Sequence, residues 1–209
     1  MGLLTMRTMV AQSDAAMPED SEIHVVRRAI EGEPGAFGVL YERYADRIYH
    51  FVYLRVRDSG LARDLTQDVF VSALRGMPGL HHETRFLNWL YRIAHNTVLN
   101  HWRRQSSRPR LVVLSAADGS ADEPPDLGRL AGGDPHETIE TRLRVDEVIA
   151  CLRDLSESHQ AVLTLRFVSG LSLAQTADVL GRSEDAVKKM QRRALVNLRH
   201  ALEGRRWSE

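Results

Sequence analysis

One cysteine in 209 residues, Cys151, leaves no partner for an internal disulfide, so stability has to come from packing, and a reducing compartment suits it. No apolar run approaches the roughly 20 residues of a membrane span. The opening segment, MGLLTMRTMVAQSDAAMPED, lacks the continuous hydrophobic stretch and cleavage pattern of a signal peptide. Met6 stands where a myristoylation motif wants Ser or Thr. This segment is expected to be a disordered extension over residues 1–20, and the protein to be cytoplasmic. Strand-type alternation is convincing nowhere. Also missing are HExxH, paired-cysteine spacing, a phosphate-binding glycine loop and a nucleophile elbow. His81, His82, His95 and His101 are the raw material for a zinc site, but His95 and His101 lie six apart, on different faces of a helix. No metal, cofactor or catalytic residue is therefore expected, and an enzyme is the weaker reading.

Net charge is also missing: 28 Lys and Arg balance 28 Asp and Glu. The average hides segregation. Arg85 to Arg110 holds six arginines and no acid; Val113 to Glu137 holds six acids and one arginine; Arg182 to Glu209 holds eight basic residues and four acids. Two basic blocks separated by an acidic one is the pattern of a nucleic-acid binder, although solvated faces beside a solubilising linker account for charge alone equally well.

Helical periodicity organises the rest. A first helix spans about Ser21 to Glu31 and ends at Gly32-Glu-Pro-Gly35. AFGVLYERYADRIYHFVYLRV follows, with Phe37, Leu40, Tyr41, Tyr44, Ile48, Phe51 and Val52 as a broad apolar stripe. Asp58-Ser59-Gly60 caps LARDLTQDVFVSALRGM, whose inner line is Leu61, Leu65, Val69 and Ala73, widened by Phe70 and Leu74. Met77-Pro78-Gly79 stops it. After LHHET, with Thr84 as cap, FLNWLYRIAHNTVLNHWRR forms a fourth helix. Periodicity fades over the linker 106–133 and returns at Asp134-Pro135-His136-Glu137, a strong start signal followed by Ile139, Leu143, Val148, Ile149, Leu152 and Leu155. Short helices continue to the end. The expected fold is all-α, two small domains (21–105 and 134–206) on a flexible linker.

GLSLAQTADVLGRSEDAVKKMQRRALVNLR, residues 170–199, carries the most information. Ser172 caps a short helix with Leu173, Thr176, Ala177 and Leu180 inward. Gly181 permits a sharp turn, and Ser183 with Glu184 starts the next helix. This is the helix-turn-helix plan, whose second helix enters the DNA major groove. Ala186, Val187, Ala194, Leu195 and Leu198 are core candidates there. Ser183, Glu184, Lys188, Lys189, Arg192 and Arg193 reach outward, where bases neutralise phosphate or donate to guanine and Glu accepts from cytosine. The bland alternative is a helical hairpin with a solvated basic face.

The C-terminal block resembles region 4 of bacterial sigma factors. AFGVLYERYADRIYHFV, DLTQDVFVSALR and RFLNWLYRIAHNTVLNHWRR, in that order, resemble region 2. The short linker, with no room for a middle domain, is similar to the extracytoplasmic-function (ECF) group. The resemblance covers about Glu22 to Leu202. It implies a sigma factor with core RNA polymerase as partner. Asp64, Gln67 and Asp68 would bind the β′ clamp helices and region 4 the β flap. The loop Leu80, His81, His82 and Glu83 would join the stripe Arg85, Asn88, Arg92, Asn96, Leu99, Asn100 and Arg103 in meeting the melted single strand of the −10 element. Ser183, Glu184, Lys188, Lys189, Arg192 and Arg193 would read the −35 element in duplex DNA. Phe86, Trp89, Leu90, Ile93 and Thr97 would face the core, and Trp102 has no assigned place. Leu80 stands where many members carry Phe, and Arg182 and Met190-Gln191 depart from the commoner pattern. An anti-sigma factor is a partner the family admits, and no residue here identifies one. The competing reading is a stand-alone helix-turn-helix regulator, which leaves the DLTQD helix and the acid-free helix without a task.

Overall fold

The computed structural model describes residues 21–107 and 148–206, and among them all regular structure is helical. The extension 1–20, most of the linker and the start signal at Asp134-Pro135-His136-Glu137, with Ile139 and Leu143, lie outside the described residues.

α1 (Glu22–Ile30) starts where the Ser21 hydroxyl accepts the His24 amide at 3.4 Å. α2 (Ala36–Val56) has the bounds its sequence predicts. Leu40, Tyr44, Ile48, Phe51 and Val52 are buried, whereas Tyr41 is 43% exposed, so the buried stripe is narrower than expected. α3 (Ser59–Gly76) is capped by Asp58, whose carboxylate accepts the Leu61 amide at 2.8 Å. Leu65, Val69, Phe70 and Ala73 face inward; Leu74, expected to widen that line, is 54% exposed. The 3₁₀ turn Met77–Gly79 stops the helix and plugs Met77 into the core. A second turn, Glu83–Arg85, leads into α4 (Phe86–Ser107); Thr84 lies inside that turn rather than ahead of it.

The buried line of α4 is Phe86, Leu90, Tyr91, Ala94 and Val98, with Trp89, Ile93 and Trp102 half-buried against the same core. Thr97 is half-buried, so the inward face is rotated from the expected one toward Tyr91, Ala94 and Val98. Phe51 and Tyr91 meet edge to face at 5.4 Å, a favourable aromatic geometry. α3 and α4 approach closely at Gly76: a Cβ there would stand 2.9 Å from the Trp89 ring, so only glycine lets the indole lie on the backbone.

The second bundle is helical over 148–152 and then comprises α5 (Glu157–Leu163), continued by a π-helical turn Thr164–Val168, α6 (Leu173–Leu180) and α7 (Glu184–Arg206). Its core is Leu152, Leu155, Val162, Leu163, Ala177, Val187 and Ala194, lined by Met190 and Leu198. Leu195, expected in that core, is 41% exposed. α7 turns its 187, 190, 194 and 198 line into this core, and Leu195 falls one position beyond it.

The two bundles lie against each other. Leu165, Leu171 and Val179 of the second join the apolar cluster of the first. Arg47 donates to the Ser169 carbonyl at 3.3 Å and Arg57 to the Ile149 carbonyl at 2.8 Å. Arg55, whose side chain is 1% exposed, donates at 2.8 Å to both His95 Nδ1 on α4 and the Glu157 carboxylate on α5. Burial lowers the Arg55 pKa to about 10, and Glu157 partly offsets that shift.

A guanidinium only donates, so His95 Nδ1 must accept and the ring must be neutral. Burial, with the Arg55 charge second, pushes the His95 pKa down to about 4 from 6.5. The unfolded chain therefore binds the proton first on acidification. This contribution to stability is complete above pH 6.5 and is lost as the pH falls toward 4. Between neutral pH and about pH 4.5 it amounts to roughly 2–3 kcal/mol, at ~1.4 kcal/mol per pKa unit. Urea unfolding at the two pH values should show that loss in the wild type and a clearly smaller one in His95→Gln, whose amide oxygen can still accept from Arg55.

Candidate nucleic-acid interface

The acid-free block seen in the sequence becomes one face of α4. Arg92, Asn96, Asn100 and Arg103 are exposed at steps of four, four and three, so their side chains line a single stripe. Arg85 is also exposed, and Leu99 is half-buried. The stripe offers amides that can pair with an unstacked base edge and arginines that can track a phosphate backbone. At its head, His81 and His82 are exposed, while Leu80 is half-buried and anchors the loop on the core. Glu83 fastens the loop to α1 through an ion pair with Arg27 at 3.3 Å. A backbone amide donating to the Glu83 carboxylate, with Arg27 second, holds it below the usual carboxylate range.

Asn88 departs from expectation. It is 8% exposed, and its amide donates to the Asp178 carboxylate on α6. The packing of α6 on α4 covers this member of the stripe while its other polar members stay in solvent. A carboxylate only accepts, so the Asn88 nitrogen is committed to Asp178, and its oxygen is left buried without a partner.

A second surface lies on α3. Asp64, Gln67 and Asp68 are all exposed, opposite the buried Leu65, Val69 and Ala73. Exposed Val71 and Leu74 continue the stripe by one turn. The like-charged Asp64 and Asp68 stand one turn apart, a small destabilisation that suits a face awaiting a basic partner. Sequence periodicity missed the apolar extension because Leu74 also fits the inner line of the helix.

The third surface is the helix-turn-helix. Ser172 and Gln175 form a reciprocal capping box at the start of α6, with bonds of 3.1 and 2.8 Å. Gly181 ends α6 in the left-handed region at φ 61°, and the Ser183 hydroxyl accepts the Ala186 amide at 3.3 Å. Ser183, Glu184, Lys188, Lys189, Arg192 and Arg193 are all exposed on α7. Lys188 pairs with Asp185 at 3.6 Å in full solvent, a contact weak enough to yield to phosphate. Beside this face runs a shallow groove with Leu173, Leu195 and Val196 as its floor and Arg166, Lys188 and Arg199 on its rim.

Two features went unread in the sequence. Arg55 lies within an apolar stretch, VYLRV, and no local pattern marks its burial. Asp178 is an exposed residue of α6, and only the tertiary contact gives it Asn88. Among the described residues no three His, Cys, Asp or Glu side chains converge as metal ligands. No described helix is long and apolar enough to cross a membrane.

The chain matches the family model for sigma-70 region 2 over residues 40–108 and that for sigma-70 region 4 over residues 151–200. It is 36% identical over 197 residues to the ECF RNA polymerase sigma factor BldN of Streptomyces coelicolor, covering 94% of this chain and 70% of that protein. It is 30% identical over 167 residues to the ECF RNA polymerase sigma factor SigX of Bacillus subtilis, covering 80% and 84%. Among solved structures, CnrH in complex with the cytosolic domain of CnrY aligns at TM-score 0.64 and 23% identity, over 88% of this chain and 99% of that one. The sigma factor RpoE in complex with the anti-sigma factor NepR from Bartonella quintana aligns at 0.61 and 17%, over 81% and 98%. At these identities the two structures establish likeness of fold.

A methyl group on Gly181 would meet open space, so any penalty for adding one comes from backbone strain alone. Gly181→Ala should destabilise the protein by about 1 kcal/mol and Gly181→Asn by less, as measured by urea unfolding.

Proposed function

The chain belongs to the ECF group of the sigma-70 family of RNA polymerase sigma factors, and from that premise we propose how its surfaces divide the work of promoter recognition. Asp64, Gln67 and Asp68 on α3 dock on the β′ clamp helices of core polymerase. Leu80, His81, His82, Asn88, Arg92, Asn96, Asn100 and Arg103 capture the melted −10 strand. Ser183, Glu184, Lys188, Lys189, Arg192 and Arg193 read the −35 element in the duplex major groove, with the region 4 bundle seated on the β flap. Two units, 21–105 and 134–206, carry these tasks, with 106–133 as tether and 1–20 as an extension. Phosphodiester chemistry belongs to the polymerase. This chain contributes no catalytic residue, metal or cofactor, and it acts in the cytoplasm, where its partners are. RpoE is described with the anti-sigma factor NepR, and a partner of that class is proposed for this chain without a residue assignment.

One observation carries this reading. An exposed acidic stripe and an acid-free amide and arginine stripe stand on the first bundle beside a complete helix-turn-helix on the second. A stand-alone regulator needs only the last of these. Purified protein added to core RNA polymerase should start transcription from a cognate promoter. A regulator would instead bind duplex DNA unaided and give no transcript.

Asp64→Lys with Asp68→Lys should abolish holoenzyme assembly in a pull-down while leaving helical content and melting temperature unchanged; retained assembly would remove the clamp assignment. Lys188→Ala with Arg193→Ala should weaken holoenzyme binding to −35 duplex and reduce the slope of log K against log salt by about 1–2, at ~0.9 per phosphate contact. An unchanged slope would take those side chains off the phosphate backbone.

A further inference from the structure

We propose that Arg166, which lies outside the recognition helix, sets part of that helix's base preference. It occupies the one acceptor atom of Gln191 and leaves that side chain to read the −35 duplex as a donor only. The inference rests on the functional reading above and extends the −35 face assigned there.

Gln191 is one of the positions at which the chain departs from the commoner pattern of its family. It is half-buried on α7 and lines the shallow groove together with Lys188 and Arg192, so it continues the reading face by one helical turn. Arg166 reaches it from the π-helical turn Thr164–Val168, donating from Nε to the Gln191 Oε1 at 3.1 Å. The same guanidinium donates through Nη1 to the carbonyl of buried Leu171, so it is held from both sides. The turn that carries it is itself unusual. The Ser169 amide donates to the Thr164 carbonyl at 2.8 Å and the Leu171 amide to the Leu165 carbonyl at 3.0 Å. Such widened turns are rare and concentrate at functional sites.

A guanidinium has no acceptor, so the Gln191 atom facing it must be the amide oxygen, and the NH₂ is the free end. An unconstrained glutamine reads adenine with both atoms: its nitrogen donates to N7 while its oxygen accepts from the 6-amino group. Here an adenine amino group approaching that oxygen would meet Arg166, which lines the same groove and can only donate. Adenine is therefore rejected in this pose. The free NH₂ suits bare acceptors, guanine O6 and N7 or thymine O4. The surroundings agree. Lys188, Arg192 and Arg199 share the groove, and among the described residues no acidic side chain lines it. A base edge entering there meets donors from every side.

The test uses holoenzyme made with the full chain, challenged with promoter duplexes randomised across the −35 element, the bound sequences being counted. The position at which Gln191→Ala lowers a wild-type preference for guanine or thymine is the one that Gln191 contacts. At that position Arg166→Ala should raise the share of adenine about tenfold, because the amide oxygen is released. Arg166→Lys, which still donates, should keep the wild-type preference. Gln191→Glu retains a partner for Arg166 and puts an acceptor where the nitrogen was, so the preference should move toward cytosine. If Arg166→Ala loses helical content, Gln191→Glu carries the test alone. A brace without a part in reading would change stability and leave these preferences where they are. Unchanged preferences in both variants overturn the inference. So does a Gln191→Ala variant that loses salt slope with no position-specific change, which would place Gln191 on a phosphate. A wild-type holoenzyme with no −35 preference at all would instead remove the functional reading itself.

Discussion

Arg55 brings a permanent positive charge to a place where 1% of its side chain meets solvent, and the arrangement of both bundles follows from how that charge is met. The guanidinium stems from the last turn of α2, reaches the His95 ring on α4 and ends on the Glu157 carboxylate that opens α5. Glu157 is half exposed, so the pair sits at the edge of the interior, where Coulomb attraction is still strong and one partner keeps part of its hydration. Removing the second bundle would leave the guanidinium with only a neutral ring as its acceptor. The cost of that burial adds to the apolar contact of Leu165, Leu171 and Val179 in coupling the two bundles, and the Arg55 charge reinforces the burial that keeps His95 neutral.

The three functional surfaces share a construction. Each is the outward side of a helix whose opposite side is locked by packing: α3 by Leu65, Val69 and Ala73, α4 by Phe86, Leu90, Tyr91, Ala94 and Val98, and α7 by Val187 and Ala194. The aromatic residues of α4 support the stripe rather than belonging to it. Phe86 and Tyr91 are buried, Trp89 lies on Gly76, and Trp102 rests half-buried, its ring nearly perpendicular to that of His101. A surface set by buried neighbours is pre-organised, so nucleic acid or polymerase meets side chains already aligned.

Much of this was legible in the sequence. The bounds of α2, the Asp58 and Ser172 caps and the Gly181 turn are local matters, fixed by spacing and backbone chemistry, and they stand as read. So does the exposure of Asp64, Gln67, Asp68, Arg92, Asn96, Asn100, Arg103 and the basic residues of α7, because an amphipathic helix assigns its own polar side. Tyr41, Leu74 and Leu195 were misplaced for one shared reason. Each flanks a true core line, and periodicity gives the direction of a side chain without saying whether another helix lies there. Asn88 was misread, and Asp178 not read at all, because their contact spans 90 residues of sequence, beyond any local pattern. Arg55 belongs with them: the fold gives its charge a buried role that composition could not announce.

Reactivity of unpaired promoter thymines toward permanganate tests the central claim most directly. On a promoter recognised by this protein, core polymerase with the wild-type chain should expose thymines in the −10 region. Neither component alone should do so, and Asn96→Ala with Asn100→Ala should suppress the signal while −35 protection persists. If the isolated chain protects duplex DNA and no thymine becomes reactive when polymerase is added, the protein is not working as a sigma factor and the account is wrong.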